Sequence, residues 1–218
     1  MKVREIFQSI QGEGMYMGVP CVFVRLAGCN LRCPWCDSKE TWDTIDMATE
    51  AAPRDIVNRV NDVAFDGLNT VVITGGEPFE QASNLRVLVR MLKDENYRVH
   101  VETNGTFYDT SEWPEIDWIT CSPKSQGNWQ IPLRVDELKY VVSKEFDADI
   151  ITPAIREKYA GRIWLQPCDY GYDNPERGPV DYNLDKKNKE SLERAVHMVS
   201  ADPRLRLGIQ LHKVWGLR

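Results

Sequence analysis

The stretch Cys29-Asn30-Leu31-Arg32-Cys33-Pro34-Trp35-Cys36 places three cysteines within eight residues. It follows the apolar run Cys21–Leu26, so we expect it on the loop after a strand. Thiolates prefer soft metals, which means zinc or an iron–sulfur cluster. A structural zinc site and a fully ligated [4Fe–4S] cluster each use four ligands, and the local sequence lacks a fourth. Three thiolates would hold three irons of such a cluster and leave the fourth iron open to a small molecule.

The other three cysteines of the chain suggest different roles. Cys21 and Cys121 lie within apolar runs, where a free cysteine behaves as a small core residue. Cys168 follows Gln166-Pro167 and is the alternative fourth ligand, although we expect it not to bind the cluster. We do not expect the three clustered cysteines to be merely buried thiols, because their neighbours are polar.

Apolar, β-branched runs alternate with amphipathic stretches along the chain. The predicted strands are Cys21–Leu26, Thr70–Ile73, Arg98–Val101, Trp118–Cys121, Leu138–Val142, Ile163–Leu165 and Leu205–Leu211. Helical spacing of apolar residues predicts helices over Arg54–Phe65, Asn84–Lys93 and Lys189–Ser200. This alternation is typical of an α/β protein with a mostly parallel sheet and helices outside it. No linker divides the chain, so we expect a single domain over residues 1–218.

Polar or glycine-rich motifs follow the ends of these strands. They are Gly75-Gly76-Glu77-Pro78, Glu102-Thr103-Asn104-Gly105, Ser122-Pro123-Lys124 and Gln166-Pro167. Turns favour Gly, Pro, Asn and Asp, but they do not require Glu, Lys and Gln at successive strand ends. Because the carboxyl ends of parallel strands share one edge, the motifs predict one common site. A closed barrel of eight strands takes about 250 residues, so we expect an incomplete parallel (β/α) barrel of about six or seven strands.

Charge and composition exclude several classes of function. The chain has 27 Lys and Arg against 33 Asp and Glu, which gives a net charge of −6. This balance argues against a nucleic-acid partner, because phosphate binding needs a basic face. No apolar run approaches the ~20 residues of a membrane span, and Met1–Glu5 lacks the apolar core of a signal peptide. We therefore expect a cytoplasmic protein with reduced cysteines and no membrane partner.

Several motifs resemble a known enzyme superfamily. The spacing Cys-x3-Cys-x2-Cys, with an aromatic residue before the last cysteine, resembles that of radical S-adenosylmethionine (SAM) enzymes. Gly75-Gly76-Glu77-Pro78 resembles the motif that contacts the methionyl amine of SAM in those enzymes. Further matching segments are Phe7–Gly14 (FQSIQGEG), Gly18–Pro20, Phe23–Arg25, Cys36–Ser38, Thr41-Trp42, Glu102–Thr106, Ser122–Lys124, Leu165–Pro167 and Gln210–Lys213. Together they resemble the 7-carboxy-7-deazaguanine synthase family of queuosine and 7-deazapurine biosynthesis.

The resemblance implies a radical SAM lyase with the incomplete barrel of that superfamily. Its reaction would convert 6-carboxy-5,6,7,8-tetrahydropterin to 7-carboxy-7-deazaguanine with loss of ammonia. A [4Fe–4S] cluster on Cys29, Cys33 and Cys36 would reduce SAM to a 5′-deoxyadenosyl radical, which takes hydrogen from substrate C6. No catalytic side chain is expected beyond the cluster and SAM. The resemblance also implies Mg2+, a homodimer, and an electron donor such as flavodoxin or ferredoxin.

The resemblance also implies which residues contact each ligand. The SAM contacts are Trp35, Cys36, Asp37, Gly76, Glu102, Ser122, Pro123, Lys124 and Gln166. The pterin contacts are Ile10, Gln11, Gly12, Glu13, Arg25, Thr74 and Arg218. Ser38 is the expected Mg2+ ligand, although the family commonly has Thr there. The tail Val214–Arg218 departs from the family pattern, and we expect it to close over the substrate beside His212 and Lys213.

Alternatives remain for several residues and for the function. Asp37 is the alternative Mg2+ ligand, and His212 and Lys213 could be structural residues instead of part of the site wall. Arg25 could form a structural salt bridge instead of binding the substrate carboxylate, and Lys124 could be a solvated lysine. A glycyl-radical-enzyme activase shares the cysteine spacing but is not expected to combine it with the other matching segments. A non-catalytic iron–sulfur or zinc module is the alternative from a different functional class.

Overall fold

A computed structural model describes residues 1–43, 48–107, 112–124, 131–170 and 186–217. The strands are β1 (Lys2–Ile10), β2 (Pro20–Leu26), β3 (Thr49–Glu50), β4 (Thr70–Gly75), β5 (Arg98–Thr103), β6 (Trp118–Cys121), β7 (Glu137–Val142), β8 (Ile163–Pro167) and β9 (Leu205–Leu207). The helices are α1 (Pro53–Val63), α2 (Ala82–Asp94), α3 (Pro153–Lys158), α4 (Lys186–Ala201) and α5 (Leu211–Trp215). Short 3-10 turns cover Gly14–Tyr16, Lys39–Thr41, Pro78–Gln81 and Ala148–Ile150.

Across these described residues, nine strands form one sheet in the order β3-β1-β2-β4-β5-β6-β7-β8-β9. The seven strands from β2 to β9 in this order are parallel to one another. Strand β1 is antiparallel to both of its neighbours, β2 and β3. Since β3 and β9 remain edge strands, the described sheet does not close.

The predicted incomplete parallel (β/α) barrel is therefore confirmed. The seven predicted strands correspond to the seven parallel ones, and β1 and β3 are additional. The last predicted strand, Leu205–Leu211, is wrong in its length, because β9 ends at Leu207 and α5 begins at Leu211. Within the described part of the chain, no helix is long and apolar enough to cross a membrane.

The two faces of the sheet differ in polarity, and this difference creates the site. The outward side chains of the strands join the apolar stripes of the helices, such as Ile56 of α1 and Leu88 of α2, in the main core. The inward face holds only a small apolar cluster, in which the rings of Phe7 and Phe23 stack at 5.4 Å. Polar side chains occupy most of the other described inward positions toward the carboxyl ends of the strands, with Val141 on β7 as an exception.

Candidate active site

The carboxyl ends of the parallel strands surround a cavity of about 620 Å3. The predicted site residues on its wall are Ile10, Gln11, Glu13, Arg25, Cys29, Cys33, Trp35, Cys36, Asp37, Ser38, Thr74, Gly76, Glu102, Ser122, Lys124 and Gln166. His212 and Lys213 also line it. Gly12 and Pro123 are described but do not contribute to the wall, and Arg218 lies outside the described residues.

The three clustered cysteines lie on one wall of this cavity. Burial raises the pKa of all three thiols above the ordinary value, so each is protonated before a metal binds. The backbone N–H groups of Leu31 and Ser38 each donate to a sulfur at 3.5 Å, to Cys29 and Cys36 respectively. Such donors stabilise the thiolates that metal binding requires.

The donor set of this loop fits an iron–sulfur cluster better than a single ion. In residues 1–43, 48–107, 112–124, 131–170 and 186–217, no three His, Cys, Asp or Glu side chains converge on one metal position. A cubane cluster does not need such convergence, because each thiolate binds a different iron. Trp35 lines the cavity, and its indole Nε1 is buried without a hydrogen-bond partner among the described residues. A buried donor of this kind is expected to pair with a ligand or water.

Two glycines let the end of β4 pack directly against the cysteine loop. The N–H of Gly76 donates to Leu26 O at 3.0 Å, and the next N–H donates to Gly28 O at 2.7 Å. A Cβ atom on Gly76 would lie 1.8 Å from Gly28 O. Gly75 has φ of 120°, and a Cβ there would lie 2.1 Å from Leu26 O. Any side chain at these positions would therefore displace the loop that contains Cys29.

Glu77 ties the end of β4 to the end of β5 from a fully buried position. Its carboxylate accepts hydrogen bonds from Phe79 N at 3.1 Å, Thr103 Oγ1 at 2.9 Å and Asn104 N at 2.7 Å. Burial raises the pKa of Glu77 to about 7, although the three donors oppose the rise. Sequence reasoning gave this glutamate no role of its own, even though it lies in the quoted glycine motif.

Glu13 and Lys139 form an ion pair inside the cavity, with 12% and 13% of their side-chain surface exposed. Gln210 Nε2 donates a second hydrogen bond to Glu13, at 2.9 Å. Burial opposes ionisation of Glu13, but the Lys139 ammonium and His212 outweigh it and lower its pKa to about 2. Burial also opposes the charge on Lys139, yet Glu13 and Glu102 outweigh it and raise its pKa.

Lys139 is a site residue that the sequence analysis did not identify. It lies on β7 within the predicted apolar run Leu138–Val142 and lines the cavity. A lysine inside a buried strand is costly unless it is paired. A charged residue within an apolar run was therefore the signal that could have identified Lys139.

The segment after β9 is tied to the cysteine loop through Asp37. Lys213 Nζ lies 2.8 Å from Asp37, and Gln210 Nε2 donates to the same carboxylate at 2.8 Å. Burial opposes ionisation of Asp37, but Lys213 outweighs it and holds the pKa well below its ordinary value. Lys213 also lies 3.7 Å from Asp169. The C-terminal segment thus forms one side of the cavity.

Arg25 has a partner already, as the alternative interpretation of this residue required. Its Nε lies 2.9 Å from Glu5 Oε1, and its Nη1 donates to Ser38 Oγ at 3.1 Å. The guanidinium also lies 5.8 Å from the ring centre of Phe7. Ser38 Oγ is 3.5 Å from Asp37 Oδ1, so the expected magnesium ligand lies beside a carboxylate. Arg25 still lines the cavity, so the salt bridge does not remove it from the site.

The remaining predicted residues form short polar contacts along the wall. Glu102 accepts hydrogen bonds from Gln11 Nε2 at 3.1 Å and from Thr74 Oγ1 at 3.0 Å. Lys124 Nζ donates to Ser122 Oγ at 2.6 Å, and Lys124 lines the cavity. The structure therefore brings together residues from strands β2, β4, β5, β6 and β7 that are far apart in sequence.

Comparisons with known proteins agree with this architecture. Residues 24–119 match the family model of the radical SAM superfamily. The chain is 34% identical to the 7-carboxy-7-deazaguanine synthase of Rickettsia prowazekii over 100% of its own length and 88% of that protein. It is also 34% identical to the enzyme of the same name from Bacteroides thetaiotaomicron, covering 100% of this chain and 98% of the other. The crystal structure of QueE from Escherichia coli superposes with a TM-score of 0.69 at 25% identity, covering 97% and 94% of the two chains.

Proposed function

Since this chain belongs to the 7-carboxy-7-deazaguanine synthase family, we propose that its cavity is the active site of a radical SAM lyase. The enzyme converts 6-carboxy-5,6,7,8-tetrahydropterin to 7-carboxy-7-deazaguanine with loss of ammonia. The observation that supports this best is that the cysteine loop and the polar strand ends line one cavity. When bound, the [4Fe–4S] cluster and SAM supply the radical that begins the rearrangement.

We propose that the chain's own residues hold the cluster and SAM at one side of this cavity. Cys29, Cys33 and Cys36 bind the cluster as thiolates. The ammonium of Lys124 attracts the methionyl carboxylate. The backbone at Gly76, which no side chain covers, accepts a hydrogen bond from the methionyl amine. Trp35 packs against the adenine and offers its buried indole N–H to the ligand. The wall excludes water from the reactive centre.

We assign the opposite side of the cavity to the pterin. The 2-amino-4-oxo edge of a pterin presents N–H donors, and Glu13 is ionised to accept them, since its pKa is about 2. Lys139 and Gln210 occupy one position on each oxygen, and a carboxylate has about four acceptor positions. Glu5 is bound by Nε of Arg25, and the terminal nitrogens of the guanidinium face the substrate carboxylate. Thr74 offers a hydroxyl to the ring.

Further elements of the proposal go beyond the family membership. We propose that Ser38, beside Asp37, binds Mg2+ through oxygen, as a hard cation requires. We also propose that residues 1–218 form a single domain, that two copies form a homodimer, and that the enzyme works in the cytoplasm. Its electron donor is proposed to be a flavodoxin or ferredoxin.

Anaerobic reconstitution followed by turnover tests the function. Iron and sulfide analysis with electron paramagnetic resonance (EPR) should detect the cluster, and mass spectrometry should detect the carboxylated deazaguanine. The variant Cys33→Ala should lose cluster and product while keeping the wild-type circular dichroism spectrum. The matched control Cys168→Ala, a cavity-lining cysteine outside the motif, should keep its iron. Protein that holds only zinc would contradict the proposal, and so would a cluster-loaded enzyme that cannot turn over the pterin.

A further inference from the structure

A half-buried side chain outside the cysteine loop contacts one of the three clustered sulfurs. Asn104 follows β5, and its Nδ2 lies 3.9 Å from Cys29 Sγ. The same Nδ2 donates to Asn30 Oδ1 at 2.9 Å. Asn104 therefore brings a side-chain N–H group from the end of β5, two strands away from β2 in the sheet, to a sulfur of the cysteine loop.

The orientation of the Asn104 amide follows from its other neighbours. Asn104 Oδ1 accepts a hydrogen bond from the backbone N–H of Thr106 at 2.9 Å and from Thr106 Oγ1 at 2.6 Å. A backbone N–H can only donate, so the oxygen of the amide must face Thr106. The NH2 group consequently faces Cys29. Asn30 Nδ2 donates to Thr106 Oγ1 at 2.8 Å and completes the network.

The backbone of Asn104 is fixed relative to the cysteine loop by Glu77. The carboxylate of Glu77 accepts from Asn104 N at 2.7 Å and from Thr103 Oγ1 at 2.9 Å. The backbone N–H of Glu77 donates to Gly28 O, next to Cys29, at 2.7 Å. One buried residue thus holds both the donor and the residue before its sulfur partner, which keeps the two at contact distance.

We infer that Asn104 donates a hydrogen bond to the cluster-bound sulfur of Cys29 and thereby raises the reduction potential of the [4Fe–4S] cluster. The inference rests on the proposed function, which places the cluster on this cysteine. Reduction adds one electron from an external reductant and increases the negative charge on the sulfur ligands. A donor N–H stabilises the more negative state, and hydrogen bonds to sulfur are a known determinant of cluster potential.

The test is an EPR-monitored redox titration of reconstituted protein, with dithionite as the reductant. The variant Asn104→Leu removes the N–H at similar volume, and its cluster should have a lower midpoint potential at unchanged iron content. The matched control Thr106→Val removes a hydroxyl from the same network but keeps the backbone donor that orients the amide. Its midpoint potential should equal that of the wild type.

A second variant keeps the test decisive if Asn104→Leu does not assemble a cluster. Asn104→Ala also removes the N–H and adds no charge, so its potential should be lower as well. A wild-type potential in either cluster-bearing variant would overturn the inference, and so would an equal shift in Thr106→Val. Turnover of the pterin is measured separately. If the wild type holds the cluster but does not turn over the pterin, the proposed function is refuted. The comparison of midpoint potentials still tests the role of Asn104 in that case.

Discussion

At the scale of single residues, the pair of Glu13 and Lys139 dominates the electrostatics of the cavity. Both side chains are largely removed from water, and each keeps the other charged. Breaking a buried ion pair by removing one partner costs ~3–5 kcal/mol, because a charge is left without compensation. We therefore expect Lys139→Met to lower the free energy of unfolding by about that amount, as measured by urea denaturation at pH 7.

The control for this prediction is the double variant Lys139→Met with Glu13→Gln. It removes the uncompensated carboxylate, so it should recover part of the stability that the single variant loses. An equal loss in the single and double variants would show that Lys139 contributes packing rather than charge. The measured quantity is the free energy of unfolding. Turnover is not used, because Glu13 is also proposed to bind the substrate and its replacement would change turnover directly.

At the scale of elements, the junction of β2 and β4 depends on Gly75, which pairs with Leu26 in the parallel ladder. Gly75 has φ of 120°, which residues with a side chain rarely adopt. An added Cβ would also lie 2.1 Å from Leu26 O, so no other residue type fits at this position. Gly67 provides a matched comparison, since its φ is 87° and no described atom lies within 4 Å of its Cβ position. Gly67→Ala should cost ~1 kcal/mol from backbone strain alone.

Gly75→Ala adds a collision to the same kind of strain. We expect it to cost at least ~3 kcal/mol, because overpacking contributes ~1–3 kcal/mol beyond the strain. Thermal unfolding of the two variants gives the comparison. Equal melting temperatures for Gly75→Ala and Gly67→Ala would mean that the strand junction is looser than the structure describes.

The segment after α5 closes one side of the cavity. Gly216 has φ of 63°, which turns the chain so that Leu217 N donates to His212 O at 2.8 Å. Both Gly216 and Leu217 line the cavity. Removing residues 215–218 should therefore raise KM for the pterin about tenfold, equivalent to ~1.4 kcal/mol, with the iron content unchanged.

The control for the truncation is Trp215→Ala. This tryptophan is 65% exposed and is not part of the cavity wall, so its loss should leave KM close to the wild-type value. A truncated enzyme with wild-type KM would reject a role for the tail in substrate binding.

Most of the elements, but not all, could be predicted from the sequence. The parallel strands are rich in β-branched apolar residues because their outward faces pack against the helices, and α1, α2 and α4 have clear helical spacing. Strand β1 was missed because its residues Lys2–Ile10 alternate poorly between buried and half-buried positions. The five-residue α5 is too short to show a period, so Leu211 was assigned to a strand.

At the scale of the whole molecule, one buried histidine makes stability depend on pH. His100 lies on β5 with its ring centre 4.4 Å from that of Tyr16, and its Nε2 has no partner among the described residues. Burial and the charge of Arg98 lower its pKa from 6.5 to about 4, which Lys93 reinforces and Asp117 opposes. The unfolded chain therefore binds a proton near pH 6.5, whereas the folded chain does so only near pH 4.

At His100 the unfolded state binds more protons between these values, so the contribution of His100 to stability should fall as the pH falls from about 6.5 to about 4. Glu77, whose pKa is raised to about 7, contributes in the opposite direction. The expected loss of the His100 contribution is on the order of 3 kcal/mol. It is measured by urea denaturation at pH 7 and pH 4, as the change in the difference in unfolding free energy between the wild type and His100→Gln. His100→Gln should reduce this dependence, whereas the exposed His197→Gln on α4 should leave it unchanged. An identical pH dependence in His100→Gln and the wild type would contradict the assignment.

The location of the site was easier to predict from the sequence than the hydrogen bonds and ion pairs between its side chains. The sequence could indicate that the strand ends meet, because all parallel strands deliver their carboxyl ends to one edge. It could not indicate that Gln210 bonds to Glu13, since 197 positions separate them. The partner of Arg25, Glu5 on the unpredicted β1, was missed for the same reason. Pairings of this kind depend on strand order, which local patterns do not encode.

The bonds between Gly12–Glu13 and Gln210–Leu211 have a consequence for biosynthesis. A ribosome adds about 5–20 residues per second, so the 174 positions from Cys36 to Gln210 take roughly 10–35 seconds to make. During that interval the cysteine loop has been synthesised, but the C-terminal segment that contacts it through Gln210 and Lys213 has not. Until Gln210 and Leu211 have emerged, the side of the cysteine loop that the C-terminal segment covers in the folded protein is open to solvent and to small molecules.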